Sequence, residues 1–162
     1  MRAALLKHAE EIADTPAKVR LLLNRHGEPR IAHDTLPPPK PWRVGLAPEP
    51  VSSRDVFLFH KTTHRAVYEQ ARAARPECDD VLLWNERGEL TEATMGNLVL
   101  ELEGGFCTPP LDGGLLAGVY RGQLLREGAL QERVLNKDLL AQARGIRLIN
   151  SVRKWIEVEW VD

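Results

Sequence analysis

The stretch FLFHKTTHRAVYE, Phe57 to Glu69, sets one lysine, Lys61, between an apolar aromatic run and a segment with helical patterning. Only six of the 22 cationic residues are lysines, so this one stands out against an arginine-rich background. An amine partly withdrawn from water gives up its proton more readily and becomes a nucleophile toward carbonyls, which is the chemistry of a Schiff-base lysine. Further along, ELTEATMGN carries Glu92, a carboxylate that could face a ring nitrogen. The segment TPPLDGGLLAGVYRGQLL runs through glycines into a helix starting near Gly118. The free N–H groups and positive dipole end of such a helix suit a phosphate. Finally, INSVRKW places Asn150, Ser151 and Arg153 at a strand end, where small polar groups could complete a phosphate or carboxylate site. Each feature alone has a plainer reading: a solvated lysine, an exposed loop acid, a loop entering a helix, a strand-end turn. Together they are what a pyridoxal phosphate site requires, namely an amine for the aldehyde, a counter-ion for the pyridinium and a cradle for the phosphate.

The elements that must position these groups alternate between strand and helix. Arg2 to Ala13 has apolar residues at helical spacing and reads as an amphipathic helix that covers a sheet. Val19 to Leu23 and Arg30 to Ala32 read as two strands of a hairpin joined at Asn24-Arg25-His26-Gly27. The proline-rich LPPPKPW, Leu36 to Trp42, forbids helix interior and central strand alike and reads as a linker. Beyond it the pattern predicts a strand at Val44 to Ala47, a strand-like run ending near Phe59 and a helix from about His64 to Ala74. Strands follow at Val81 to Trp84 and Leu98 to Leu102, separated by NERGELTEATMGN read as a loop. A helix is expected over Gly118 to Arg126, a short strand near Val134, a helix near Leu139 to Ala143, and terminal strands at Arg147 to Val152 and Trp155 to Trp160. Short helices among antiparallel-looking strands indicate an α+β fold.

Composition narrows the function classes. Acidic residues (23) and basic residues (22) nearly cancel, and no run of like charge makes a nucleic-acid or membrane patch. No apolar stretch approaches the roughly 20 residues that cross a bilayer, and MRAALLKHAEE turns charged too early for a secretory signal. The expectation is a soluble, cytoplasmic protein acting on a small molecule. Cys78 and Cys107 make no spaced pair and read as ordinary small hydrophobes, and no metal site is expected.

Four blocks, FHKTTHRAVYE, DVLLWNERGELTEATMGNLVLE, TPPLDGGLLAGVYRGQLL and INSVRKW, occur in an order that resembles the class IV, fold type IV pyridoxal phosphate enzymes. These include branched-chain and D-amino-acid aminotransferases and 4-amino-4-deoxychorismate lyase. The narrower likeness is to the lyase module fused behind an aminodeoxychorismate synthase subunit. The resemblance implies a D-amino-acid aminotransferase-like fold, with a partial N-terminal domain and linker over 1–41 and a large pyridoxal phosphate-binding domain over 42–162. It also implies a role for each matching residue. Lys61 would carry the cofactor and then serve as acid and base, and Glu92 would pair with the pyridine nitrogen. Asn97 completes the family's E-x4-N pattern. Leu116 would lie against the ring, with Gly118 opening the helix whose Val119 and Tyr120 N–H groups meet the phosphate. Asn150, Ser151 and Val152 match the second phosphate-proximal turn, and Arg153 is a candidate for a substrate carboxylate. Arg65, four residues past the lysine as in lyases, receives no contact from this comparison. Two departures stand out: much of the family's N-terminal domain, with an arginine for the phosphate, has no counterpart, and Lys154 stands where the fused lyases usually have glycine. The implied activity is conversion of 4-amino-4-deoxychorismate to 4-aminobenzoate and pyruvate in folate synthesis, by a homodimer. The alternatives are a branched-chain or D-amino-acid aminotransferase and a non-catalytic module of the same fold.

Overall fold

The computed structural model describes residues 1–12 and 16–162, which form two compact units, Met1–Pro39 and Lys40–Asp162. The first unit holds α1 (Arg2–Ile12), β1 (Ala17–Leu23) and β2 (Pro29–Thr35). The expected last helical residue, Ala13, lies outside the described residues. β1 and β2 pair antiparallel from Ala17↔Thr35 to Leu23↔Pro29. The Asn24 carboxamide closes the turn by accepting from the N–H groups of His26 and Glu28, the local bonding that suits asparagine to turns. α1 meets the hairpin through His8, whose Nε2 lies 3.1 Å from Nδ1 of His33. None of its residues is fully buried, so it covers the hairpin less completely than its amphipathic pattern implies.

The second unit is built on one closed sheet. Its strands are β3 (Trp42–Leu46), β4 (Asp80–Trp84), β5 (Leu90–Ala93), β6 (Gly96–Leu102), β7 (Gly105–Thr108), β8 (Gln131–Glu132), β9 (Gly145–Asn150) and β10 (Lys154–Val161). The order β5-β4-β3-β10-β9-β6-β7-β8, with an additional β5–β6 pairing, closes six of the strands into a ring and leaves β7 and β8 as an extension. Closure removes the open edges that a six-stranded sheet would otherwise expose. β3 runs parallel to both β4 and β10, while the pairings of β5, β6 and β9 within the ring are antiparallel.

Alternate residues of each strand point to opposite faces. Val44, Leu82, Leu90, Leu98, Leu100, Leu148 and Ile156 meet inside the ring. Val81 and Leu83 turn outward to Leu58 and to Tyr68, Val67 and Ala71 of α2 (Ala66–Ala73). Val99 and Ile149 turn outward to Leu124 of α3 (Val119–Arg126). The continuous apolar run of β4 therefore reflects burial on both faces.

Several sequence expectations are corrected. The run ending near Phe59 is a single 3-10 turn, Val56–Leu58, because the Asp55 carboxylate accepts from the N–H of Phe57 and caps it. The expected loop NERGELTEATMGN contains β5, so it forms part of the wall of the ring. The strand expected near Val134 lies earlier, at Gln131–Glu132, and the helix near Leu139 to Ala143 is a 3-10 segment, Lys137–Gln142. β7 was not expected. Both cysteines are free, Cys107 buried and Cys78 partly so.

Candidate functional site

The outer face between α2 and α3 carries the residues singled out from the sequence, and the β5–β6 hairpin organises them. Ala93 pairs with Gly96, leaving Thr94 and Met95 as a two-residue turn, and Glu92 pairs directly with Asn97. Residues directly opposite in an antiparallel pair share a face with adjacent Cβ atoms. The E-x4-N spacing is thus the spacing of a two-residue hairpin. Asn97 donates from Nδ2 to Glu92 Oε2 at 3.2 Å and to the Leu116 carbonyl at 2.9 Å, while the Leu116 N–H donates to Glu92 Oε1 at 3.1 Å. Glu92 is 4% exposed, which excludes the reading of a solvated loop acid.

Burial pushes the Glu92 carboxyl up to about 7, against the opposing pull of the Tyr68 hydroxyl, the Leu116 N–H, Arg65 and Lys61. Lys61 itself is exposed in the segment between the 3-10 turn and α2. An exposed amine thus lies within electrostatic reach of a desolvated carboxylate.

The loop into α3 is shaped by two glycines. Gly114 has φ of 92°, and a Cβ there would sit 2.9 Å from the Cα of Ser53. A Cβ on Gly118 would overlap Oδ1 of Asn97, so this position must lack a side chain for the Asn97 carboxamide to lie against the start of α3. Gly118 is also the N-cap and provides no side-chain cap, which leaves the first N–H groups of the helix, those of Val119 and Tyr120 among them, without that partner. Val119 is 78% exposed and Tyr120 is half-buried.

The turn after β9 is held by Asn150, whose Oδ1 accepts from the N–H groups of Val152 and Arg153 at 3.0 and 2.8 Å and whose Nδ2 donates to the Met95 carbonyl. Ser151 and Val152 are exposed and Arg153 is half-buried. Lys154 closes the turn with φ of 60°, the left-handed region where glycine is unstrained. Its ammonium lies 4.5 Å from the ring centroid of Tyr120, tying the turn to α3.

The geometry gives Arg65 the contacts that the sequence left unassigned and adds two groups that the sequence did not single out, Tyr68 and Asp80. Arg65, at the N-cap of α2, donates to the Thr94 carbonyl and stacks over the Tyr68 ring at 4.4 Å. Tyr68 donates to Glu92 Oε1 at 2.8 Å. Beneath the turn, Asp80 is fully buried and accepts from both Thr94 and Met95. The three-residue spacing of Arg65 and Tyr68 on a predicted helix was a usable signal, since such residues share a face. Asp80, the second of two adjacent aspartates ahead of an apolar run, gave no comparable signal before the fold was known.

The raised carboxyl gives a testable pH dependence in the cofactor-free chain. Because the folded carboxyl at about 7 lies above its ordinary 4.5, the folded state holds the extra proton between these values. Stability should therefore fall as pH rises through that window, the cost being fully present above it and relieved below it. Glu92→Gln should flatten the slope, removing a contribution on the order of 2–3 kcal/mol between pH 5 and 8. Urea unfolding at several pH values reads this directly, and equal slopes for the two proteins would refute it.

The chain matches the family Amino-transferase class IV over residues 1–160 and belongs to that family. A Schizosaccharomyces pombe protein named "Putative aminodeoxychorismate lyase" is 33% identical over 159 residues, spanning 91% of this chain and 69% of its own. A solved structure described as a "Putative amino-acid aminotransferase" from Mesorhizobium loti superposes with a TM-score of 0.91 at 36% identity, covering 98% of this chain and 80% of that one. A hypothetical aminotransferase from Mycobacterium tuberculosis, bound to alpha-ketoglutarate and PMP, shares the fold with a TM-score of 0.81 at 20% identity, covering 99% of this chain and 66% of that one. The α+β, fold type IV expectation therefore stands, and the family is pyridoxal phosphate-dependent. Among the described residues no helix is long and apolar enough to cross a membrane.

Proposed function

We propose that this chain binds pyridoxal 5'-phosphate on the face between α2 and α3 and acts as an aminodeoxychorismate lyase-like enzyme. The observation that carries the cofactor reading is the buried Glu92 carboxylate, held by Asn97 and the Leu116 N–H within the electrostatic reach of Lys61. The donor set fits the group: an amine, a desolvated carboxylate, an uncapped helix start and a second polar turn. Bound there, the cofactor would supply an electron sink for charge developing at the amine-bearing carbon of the substrate. Lys61 would hold it covalently and then move the proton at that carbon. Glu92 would keep negative charge at the ring-nitrogen position, with Asn97 fixing its orientation. Leu116 would pack against the ring, while the N–H groups after Gly118, at Val119 and Tyr120, together with the Asn150-Ser151-Val152 turn, would receive the phosphate. Arg153 would take a substrate carboxylate.

The lyase reading is supported by the printed name of the fission yeast relative, and by Arg65, whose position four past the lysine resembles the lyases. Conversion of 4-amino-4-deoxychorismate to 4-aminobenzoate and pyruvate ends in aromatisation, so the residues need chiefly to stabilise charge and place a proton. The described similarity to an amino-acid aminotransferase favours a second reading, transfer of an amino group to a 2-oxo acid. One assay separates them. Incubated with cofactor and aminodeoxychorismate, a lyase releases pyruvate and 4-aminobenzoate in equal amounts with no 2-oxo acid added. Amino transfer to 2-oxoglutarate with no pyruvate released would overturn the lyase reading.

A further inference from the structure

Tyr68 is buried, at 6% exposure, and its hydroxyl is directed at the same carboxylate oxygen that receives the Leu116 N–H. Its ring carries the Arg65 guanidinium at 4.4 Å on one side and packs into the cluster of Ala47, Val51, Leu58, Val81 and Leu83. Rotation of the ring is thereby restricted, and the position of the hydroxyl is set by the fold. Burial and the adjacent Glu92 push the phenol above its ordinary value, so it stays protonated and donates.

We infer that Tyr68 is a positioning residue: its hydroxyl fixes Glu92 Oε1 and favours the charged carboxylate, and it thereby governs protonation at the site proposed above for the cofactor's ring nitrogen. This rests on the pyridoxal phosphate reading for its last clause only. The geometric part stands on α2, β5 and β6. The charged groups around the pair are Lys61 and Arg65, which favour the carboxylate, and Asp55, which opposes ionisation of Tyr68. Asn97 and the Leu116 N–H supply the remaining donors. A hydroxyl donating to a buried carboxylate stabilises the charged form, so its removal raises the proton affinity of that carboxylate.

The test is a titration of the Glu92 side-chain carboxyl by carbon NMR in the cofactor-free chain, assigned by the signal missing from Glu92→Gln. Tyr68→Phe keeps the ring and its stack on Arg65, and should move the midpoint upward by about one pH unit, as loss of one hydrogen bond to a charged group implies. Since the chain has only two tyrosines, incorporation of 3-fluorotyrosine gives a second variant with an intact fold and a more acidic, stronger donor. It should move the midpoint downward. An unchanged midpoint in both proteins overturns the positioning role, and opposite shifts sustain it. The cofactor clause is read separately, as the pH midpoint of the visible band of bound pyridoxal phosphate. If wild type takes up no cofactor, the underlying functional reading fails while the carboxyl titration still decides the Tyr68–Glu92 coupling. If wild type takes it up and Tyr68→Phe shows the same spectral midpoint, control of the ring-nitrogen site is overturned.

Discussion

Replacing Lys61 by alanine is expected to abolish covalent capture of pyridoxal phosphate and to lower product release by at least about 10³-fold, the scale of a lost proton-transfer group compounded by a lost nucleophile. The measurement is borohydride reduction of the loaded protein followed by peptide mass mapping, with pyruvate release assayed in parallel. Wild type should carry the reduced adduct on the peptide containing Lys61, and Lys61→Ala should carry none. The choice of lysine follows from what the others touch within the second unit. Lys40 pairs with Asp79 at 2.9 Å, Lys137 lies 3.4 Å above the Trp84 ring and Lys154 lies over Tyr120. Lys61, by contrast, contributes with Arg65 to the electrostatic environment that lowers the proton affinity of the buried Glu92. An adduct mapped to Lys154, or unchanged capture in the alanine variant, would remove Lys61 from the site. Loss of capture with retained folding, checked by circular dichroism, would identify Lys61 as the amine that holds the cofactor.

What could be read in the sequence was the material with strong local signals. The Asn24 turn carried its own capping chemistry, and α2 and α3 were legible from apolar spacing, though each begins one or two residues later than expected. The ring was not legible, because its closure depends on β5 meeting both β4 and β6. β5 reads Leu-Thr-Glu-Ala, a polar-looking stretch that is nonetheless buried at every residue. Its turn, Thr94-Met95, lacks the glycine or asparagine that marks most two-residue hairpins. The Asp80 carboxylate, the Arg65 guanidinium and the Asn150 carboxamide hold it instead. Likewise, Val-Phe-Leu has strand composition, but the aspartate before it caps a 3-10 turn. The candidate site residues were singled out by resemblance and local chemistry; their mutual contacts, Glu92 with Asn97 above all, became physical only once the hairpin register placed them opposite one another.

The same turn locates the largest expected stability effect, which belongs to Asp80→Ala. The Asp80 carboxylate accepts from the N–H of Val81 at 2.8 Å, from the N–H and hydroxyl of Thr94, and from the N–H of Met95 at 3.1 Å. Thr94 N–H has a second acceptor in the Val81 carbonyl, so the groups stranded by the alanine are chiefly the Thr94 hydroxyl and the Met95 N–H. Stranding buried donors costs about 1–3 kcal/mol each, and the vacated space adds to that, giving a loss of about 3–5 kcal/mol. At this chain length such a loss corresponds to a fall in melting temperature on the order of 10 °C. Thr94→Val removes one of the two stranded donors in advance, so Asp80→Ala should cost less in that background than alone, a non-additivity expected of residues in contact. The effect should reach the site as well. The Thr94 carbonyl receives Arg65 and the Met95 carbonyl receives Asn150, so a loosened turn releases both the guanidinium over Tyr68 and the anchor of the 150–153 turn. Asp80→Ala should therefore weaken uptake of pyridoxal phosphate at a temperature where the variant remains folded, whereas a core truncation of similar cost inside the ring, Leu98→Ala, should leave uptake nearly unchanged. Equal uptake by the two variants would mean that the buried carboxylate supports the fold without organising the site.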